Sequence, residues 1–274
     1  MSGLRDKLFL FSLEGALCGA DGSIMSTNVE MLRLLTLRGG RYTVISDRTA
    51  DQVRSVLKGL PAPGGPVICS SGAVLYDLEK EQCLQQTELS RPDAETLLWT
   101  LERAFPSVGL GVQIYDGPFQ IIRANSYTQE YLCTRGFGGI LIQLEYIPEN
   151  WLNASVFAEP QQLSEVEEYI AQKKLTGDFS LIRRSPTQLQ ILPRQIAFSD
   201  VLTRLYEVTG VLAQDVYGMG GTTGDAAWLN IVGKSAAAAD AAADVKLAAD
   251  DLLLCTCAEG AAAEFLYQSM KQYE

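Results

Sequence analysis

KLFLFSLEGALCGADG, residues 7–22, sets the reading of the whole chain. Leu8 to Phe11 form a short apolar run with the length and character of a buried strand, and the run empties into Ser12-Leu13-Glu14-Gly15-Ala16-Leu17. Working outward, STNVEMLRLLTLRGG (26–40) has apolar residues at Val29, Leu32, Leu35 and Leu37, Ser26 or Thr27 as N-cap, and Gly39-Gly40 as a stop, which predicts a helix. RYTVIS (41–46) predicts a strand, ADQVRSVLKGL (50–60) a second helix, and GPVICSSGAVLYD (65–77) a strand and turn. Such alternation calls for parallel strands, right-handed crossovers and a sheet covered on both faces. The C-terminal third repeats the style. FSDVLTRLYEVTG (198–210) and DAAWLNIVG (225–233) predict helices, DVYGMG (215–220) and DLLLCT (251–256) strands, and GAAAEFLYQSMKQYE (260–274) a closing helix. The alanine-rich tract SAAAADAAADVKLAAD (235–250) is expected to be a loop and short helix.

Composition excludes several functions. The chain has 274 residues, 47% of them hydrophobic, enough to bury a full core. With 22 Lys plus Arg against 33 Asp plus Glu, the net charge of −11 disfavours nucleic acid and anionic membrane as partners. No apolar run reaches the ~20 residues of a spanning helix, and the expected location is cytoplasmic. The six cysteines show no CxxC spacing, which fits reduced, mostly buried thiols. Cys255 and Cys257 alternate, so on a strand they would share one face, with packing set against a redox or metal role. No histidine is present, which excludes His-based triads and most zinc chemistry.

Between residues 84 and 192 the texture changes. RPDAETLLWTLERAF (91–105) and SEVEEYIAQKKL (164–175) predict polar-faced helices, while FQIIRAN (119–125), GILIQLEYI (139–147) and TQLQILP (187–193) alternate with period two, as an antiparallel sheet with one covered face would. The expected organisation is an α/β core over 1–83 and 193–274, interrupted by an α+β insert over 84–192.

Six segments in order resemble one family. SLEGAL sits where the Cof-type (class IIB) phosphatases of the haloacid dehalogenase-like (HAD) superfamily have a strand followed by D-x-D-G-T-L. VISDRTADQVRSVLKGL (44–60) is similar to the second motif, VICSSGAVLYD (67–77) to I-x-x-N-G-A-x-x-Y-D, and LQILPRQIAFSDVLTRL (189–205) to the element carrying the third-motif lysine. VYGMGGTTGDAAWLNIVG (216–233) overlies G-D-x-x-N-D-x-x-M-L without gaps, and residues 240–266 resemble the family's C-terminal tail. The resemblance spans nearly the full chain and implies a HAD-like Rossmannoid parallel-sheet core with an inserted α+β cap of the C2 type.

The resemblance also says what chemistry belongs at these positions. In the family the first aspartate attacks phosphorus and the second, two residues on, is general acid and base. Here those positions hold Ser12 and Glu14. Phe198 stands at the lysine, Gly221 at the magnesium-binding aspartate, and Asp225 alone survives as the second acidic position. A hydroxyl is a poor nucleophile without a base and a poor ligand for a hard cation, so no metal and no cofactor are expected, although the family uses Mg²⁺. By resemblance, Ser12, Glu14, Ser46 and Asp225 are the catalytic positions, and Ser46, Asp47, Arg48, Gly220, Gly221 and Thr222 the ligand-binding ones.

Plainer readings stand beside these. Ser46 also fits a cap of the following turn, Asp225 an N-cap of the helix at AAWLNIVG, and the glycines tight backbone turns. Tyr115, Asp116 and Arg123 are candidates to face a cleft or to line a solvated sheet edge, and Trp151 to mark a dimer surface or to pack in the core. A dinucleotide loop at Gly218-Met219-Gly220 lacks its third glycine, where Thr223 stands, and the P-loop-like VGKS (232–235) has Trp228 at its first glycine position. Three functions follow. The favoured one is an impaired pseudophosphatase binding a small phosphorylated metabolite or a protein partner through the cap–core cleft. The others are a sugar-phosphate phosphatase with altered chemistry using Glu14 and Asp225, and an assembly subunit with a vestigial cleft.

Overall fold

A computed structural model describes residues 3–19, 22–194, 196 and 198–273. Ala20 and Asp21 of the opening stretch, Gln195 and Ala197 of the segment that resembles the third motif, and Glu274 of the closing helix lie outside the described residues. The chain divides into two compact units, residues 1–85 with 197–274, and residues 86–196.

In chain order the strands are β1 (Leu8–Ser12), β2 (Arg41–Ile45), β3 (Val67–Cys69), β4 (Val74–Asp77), β5 (Gln82–Gln86), β6 (Gly109–Ile114), β7 (Phe119–Arg123), β8 (Gly139–Leu141), β9 (Trp151–Phe157), β10 (Phe179–Ser185), β11 (Gln188–Pro193), β12 (Val216–Gly220), β13 (Lys234–Ala237) and β14 (Asp251–Leu252). The α-helices are α1 (Ser26–Leu37), α2 (Ala50–Val56), α3 (Arg91–Ala104), α4 (Ser126–Arg135), α5 (Pro160–Gln172), α6 (Phe198–Thr209), α7 (Ala226–Leu229), α8 (Ala243–Ala248) and α9 (Ala261–Met270).

The first unit is built on one eight-stranded sheet in the order β14-β13-β12-β1-β2-β3-β4-β5. Strands β14, β13, β12, β1, β2 and β3 run parallel, and β4 returns antiparallel to β3. All five residues of β1 are buried, which is why its first four, Leu8 to Phe11, are a continuous apolar run and not an alternation. Its central position places the turn after Ser12 between the ends of β2 and β12. The order jumps from β1 to β12 on one side and β2 on the other, so the chain reverses its direction of winding there, the place where open α/β sheets hold ligands. This is the α/β architecture with a parallel Rossmannoid core that the sequence predicts.

The second unit is a six-stranded sheet, β10-β11-β9-β6-β7-β8, antiparallel throughout except for the β7–β8 pair. Helix α3 buries Ala94, Leu97, Leu98 and Leu101, and α5 buries Leu163, Val166 and Ile170, so both present a 3.6-period stripe to the same apolar cluster as the strand residues Val112, Val156 and Ile191. Helix α4 is fixed by Asn125, whose side chain accepts from the Thr128 amide at 2.9 Å.

Several local readings are corrected. The N-cap of α1 is Met25, with no side-chain cap bond, while Ser26 and Thr27 lie inside the helix. The alanine-rich tract opens with β13, a strand whose Ser235, Ala236 and Ala237 are buried. The strand pairs between β12 and β14, and burial overrides the low strand preference of alanine. Within GILIQLEYI only Gly139–Leu141 is a strand, and Leu144–Tyr146 turn into a 3-10 helix. Strand β14 ends at Leu252, so Cys255 and Cys257 are not on a strand. Cys257 is buried and its thiol donates to the Cys18 carbonyl at 3.0 Å, a packing role. Trp151 is buried, with its indole N–H on the Pro148 carbonyl at 2.8 Å, and Arg123 donates to the carbonyls of Glu102 and Phe105 at the end of α3, both at 3.1 Å.

Asn28 ties the first loop to the last helix. It is wholly buried on α1, donates through Nδ2 to the Leu17 carbonyl at 3.3 Å, and accepts at Oδ1 from the Ala263 amide at 2.9 Å. Replacing it by leucine strands two buried backbone groups, so Asn28→Leu is expected to cost about 2–3 kcal/mol. Urea unfolding checks this, with a lower midpoint at unchanged slope as the expected result.

Candidate functional site

Three loop segments converge at the carboxyl ends of β1, β2 and β12, all within the first unit. The β1 turn is held by backbone bonds from Leu13 to the Ile45 carbonyl at 2.8 Å and from Leu17 back to Ser12 at 3.1 Å. Ser46 continues β2, donating its amide to Ile68 at 2.9 Å. These bonds are the ordinary ends of parallel strands, and they put Ser12, Glu14, Ser46 and Arg48 together.

Glu14 and Arg48 form an ion pair at 2.8 Å between the carboxylate Oε1 and the guanidinium Nε. Ser46 Oγ sits 3.0 and 2.9 Å from the two carboxylate oxygens and donates its single proton to the carboxylate. The same hydroxyl accepts from the Arg48 amide at 3.1 Å, the turn-capping role. Ser46 and Arg48 are therefore both engaged by an internal anion. Their side chains are buried, so the bonds are little weakened by water. The carboxylate's field reaches Cys69, whose thiol is pushed up first by burial and then by Glu14. Ser12 is buried, and its hydroxyl donates to the Glu14 backbone carbonyl at 3.1 Å, so no carboxylate takes its proton. Asp47 is half-buried in the bend between Ser46 and Arg48.

The loop after β12, called the fourth loop after the fourth motif that residues 216–233 resemble, is organised by Asp225. Its Oδ2 accepts from the Gly221 amide at 2.9 Å, the Thr222 amide at 2.8 Å and Thr222 Oγ1 at 3.1 Å, and its Oδ1 accepts from the Trp228 indole at 3.1 Å. Asp225 stands at the N-terminus of α7 without capping it by its side chain, because the carboxylate turns back to the preceding loop. Four donors on a buried carboxylate are a structural clasp. Sequence reasoning missed Trp228 as a partner, although its place three residues after Asp225 is a signal for one.

Gly15 and Gly221 bring the first and fourth loops into backbone contact. Gly15 has φ +74°, and a Cβ on Gly221 would fall 1.8 Å from the Gly15 carbonyl oxygen and 2.2 Å from its carbon. No rotamer relieves such a clash, since it is with main chain. The Gly221 carbonyl in turn accepts from the Ala242 amide at 3.0 Å, which anchors the loop from its other side. Gly220 is similarly close to the Asp225 Cβ. Phe198 is half-buried at the first position of α6, a helix whose one basic residue, Arg204, pairs with Glu207.

The haloacid dehalogenase-like hydrolase family model matches residues 9–266. No curated protein matches the chain. Among solved structures, a haloacid dehalogenase-like hydrolase from Bacteroides thetaiotaomicron is similar with a TM-score of 0.83 at 22% identity, over 96% of this chain and 99% of that one. A haloacid dehalogenase-like hydrolase from B. subtilis aligns with a TM-score of 0.80 at 18% identity, over 95% and 99% of the two chains. The HAD subclass IIB sugar phosphatase BT4131 aligns with a TM-score of 0.77 at 14% identity, over 97% and 98%. These likenesses concern the fold.

The family is generally Mg²⁺-dependent, and the residues here do not fit that ion. Magnesium needs carboxylate oxygens in a near-octahedral set at about 2.1 Å. Position 12 offers a hydroxyl, position 221 has no room for a side chain, Asp225 is saturated by donors, and Glu14 is paired with Arg48. No group of three acidic, cysteine or histidine side chains among the described residues is arranged to hold a metal. Gly221→Asp is accordingly expected to destabilise the protein by about 3 kcal/mol or more through overpacking against Gly15. Thermal unfolding with and without MgCl₂ checks it, the expected result being a lowered melting temperature that the salt does not restore. By its family match over residues 9–266, the chain belongs to the haloacid dehalogenase-like hydrolases.

Proposed function

We propose that this chain is a noncatalytic member of its family, a pseudophosphatase that binds the anionic group of a small phosphorylated metabolite at Ser46 and Arg48. The observation that carries the loss of chemistry is the Gly15–Gly221 approach, which leaves no space for a metal-binding side chain at 221. Ser12 reinforces it, since a hydroxyl bonded to a backbone carbonyl has no base to make it a nucleophile. The binding role is supported by Ser46 Oγ and Arg48 Nε, two buried donors already aimed at one carboxylate. A phosphoryl oxygen offers the same acceptor geometry, so ligand and Glu14 compete for those donors.

The reading in which Glu14 and Asp225 activate water gains nothing from the geometry. Both carboxylates of that pair are consumed, Glu14 by Ser46 and Arg48 and Asp225 by the fourth loop and Trp228.

Two measurements test the proposal. Phosphate release from a panel of sugar phosphates with Mg²⁺ is expected to stay at background, and turnover abolished by chelation would overturn it. Glu14→Ala removes the competing carboxylate from a buried guanidinium and is expected to lower stability by about 3 kcal/mol. Added inorganic phosphate is expected to recover much of that loss in the variant and to shift the parent little. If phosphate moves the melting temperature of neither protein, the binding site is vestigial and an assembly role through other surfaces replaces the proposal.

A further inference from the structure

A cavity of about 980 Å³ opens in the first unit, away from the motif loops. It is bounded by the start of β2 at Arg41, the loop that follows α2, the turn between β4 and β5, and the end of α6 at Thr209. Strand β2 runs from Arg41 at the cavity to Ile45 beside Ser46, roughly 13 Å for its four steps, so the two places lie at opposite edges of the sheet. Its size matches pockets that enclose a drug-sized molecule.

The cavity wall is preformed. Leu60-Pro61-Ala62-Pro63-Gly64-Gly65-Pro66 has three prolines, whose fixed φ removes freedom that binding would otherwise have to freeze. Both ends of this loop are pinned, the Tyr42 hydroxyl donating to the Pro61 carbonyl and Thr43 Oγ1 to the Pro66 carbonyl at 2.6 Å. Gly64 and Gly65 press on their neighbours. A Cβ would come within 2.6 Å of the Arg41 Cβ at the first and 2.9 Å of the Thr209 Cγ2 at the second. Leu57, Leu60 and the prolines supply the apolar surface.

The charges are out of balance. Arg41 donates through Nη1 to the Thr209 carbonyl at 3.1 Å, but its Nε is buried without a partner. Arg54 holds Glu81 at 2.8 Å through Nη1, and its Nε is likewise buried and unpartnered. Among the described residues no carboxylate stands at ion-pair distance from Arg41 or from the exposed Lys58. Of the acidic residues in the wall, Asp77 is satisfied by the amides of Glu79 and Lys80 and by the Lys80 ammonium, and the Lys80 amide is the main cause that holds its carboxyl below the usual range. Asp51 and Glu79 are exposed, and water and salt screen them. In a chain of net charge −11, a half-buried arginine without a carboxylate partner, next to an exposed lysine that also lacks one, marks where an anion would be favoured.

We propose that this cavity binds a small organic anion with an apolar body, the anionic group meeting Arg41 and Lys58 and the body lying against Leu57, Leu60 and the proline loop. This inference does not depend on the reading of the motif loops. The test uses the full chain and two fluorescent probes that share one aromatic body, anilinonaphthalene sulfonate and the uncharged N-phenylnaphthylamine. The sulfonate is expected to bind saturably with one site and at least about tenfold more tightly than the neutral probe. Lys58→Glu, an exposed change that folding tolerates, is expected to weaken sulfonate binding by about tenfold and to leave the neutral probe unaffected. Arg41→Gln is expected to do the same, and Lys58→Glu carries the test if that variant folds poorly. Equal affinities for the two probes, no saturable binding, or sulfonate binding indifferent to Lys58→Glu would each overturn the proposal.

Discussion

The backbone contact between Gly15 and Gly221 governs the rest of this site. Two loops that leave adjacent parallel strands, β1 and β12, approach until a single added carbon at residue 221 would lie 1.8 Å from a carbonyl oxygen. That approach needs glycine on both sides, and it has to be held. Asp225 holds it from one side by gathering the Gly221 and Thr222 amides, and the Ala242 amide holds it from another through the Gly221 carbonyl. A residue that looks like a surviving catalytic acid is thus the fastening of a loop whose closure leaves no room for a side chain at 221.

The remaining polar groups follow from that closure. The carboxylate at position 14 finds its positive partner in Arg48, with Ser46 as a second donor. The arrangement is a partly buried ion pair with a third hydrogen-bonding member, a geometry that compensates the desolvation of both charges better than a bare pair does. The Ser12 hydroxyl turns to the Glu14 backbone carbonyl.

The large-scale fold was legible because its signals are repetitive. The unbroken apolar run Leu8–Phe11 of β1 is what a strand covered on both faces requires, and the alternation of such strands with amphipathic helices leaves few topologies. The 3.6-period stripes of α3 and α5 were equally plain. Misreadings cluster where burial outweighs local preference. The alanines of β13 carry no β-branching and suggest a loop, yet they are buried in a strand that pairs between β12 and β14. In the site, substitutions at 12, 198 and 221 could be read from the chain, whereas the engagement of Asp225 with Trp228 and of Glu14 with Ser46 and Arg48 depends on side-chain directions that spacing alone leaves open. The clash behind Gly221 is similarly a property of a neighbour 206 positions away in sequence and invisible in its own vicinity.

The carboxylate of Glu14 is covalently tethered to the place it occupies, and that has a kinetic and selective meaning. A tethered group competes at an effective concentration of order millimolar or above, without ever diffusing away. A free anion at ordinary metabolite levels that offers only its charge loses that contest. Under the proposed binding role, a molecule that also grips the protein elsewhere would win it, and the internal carboxylate would set a threshold that only ligands carrying enough additional recognition pass.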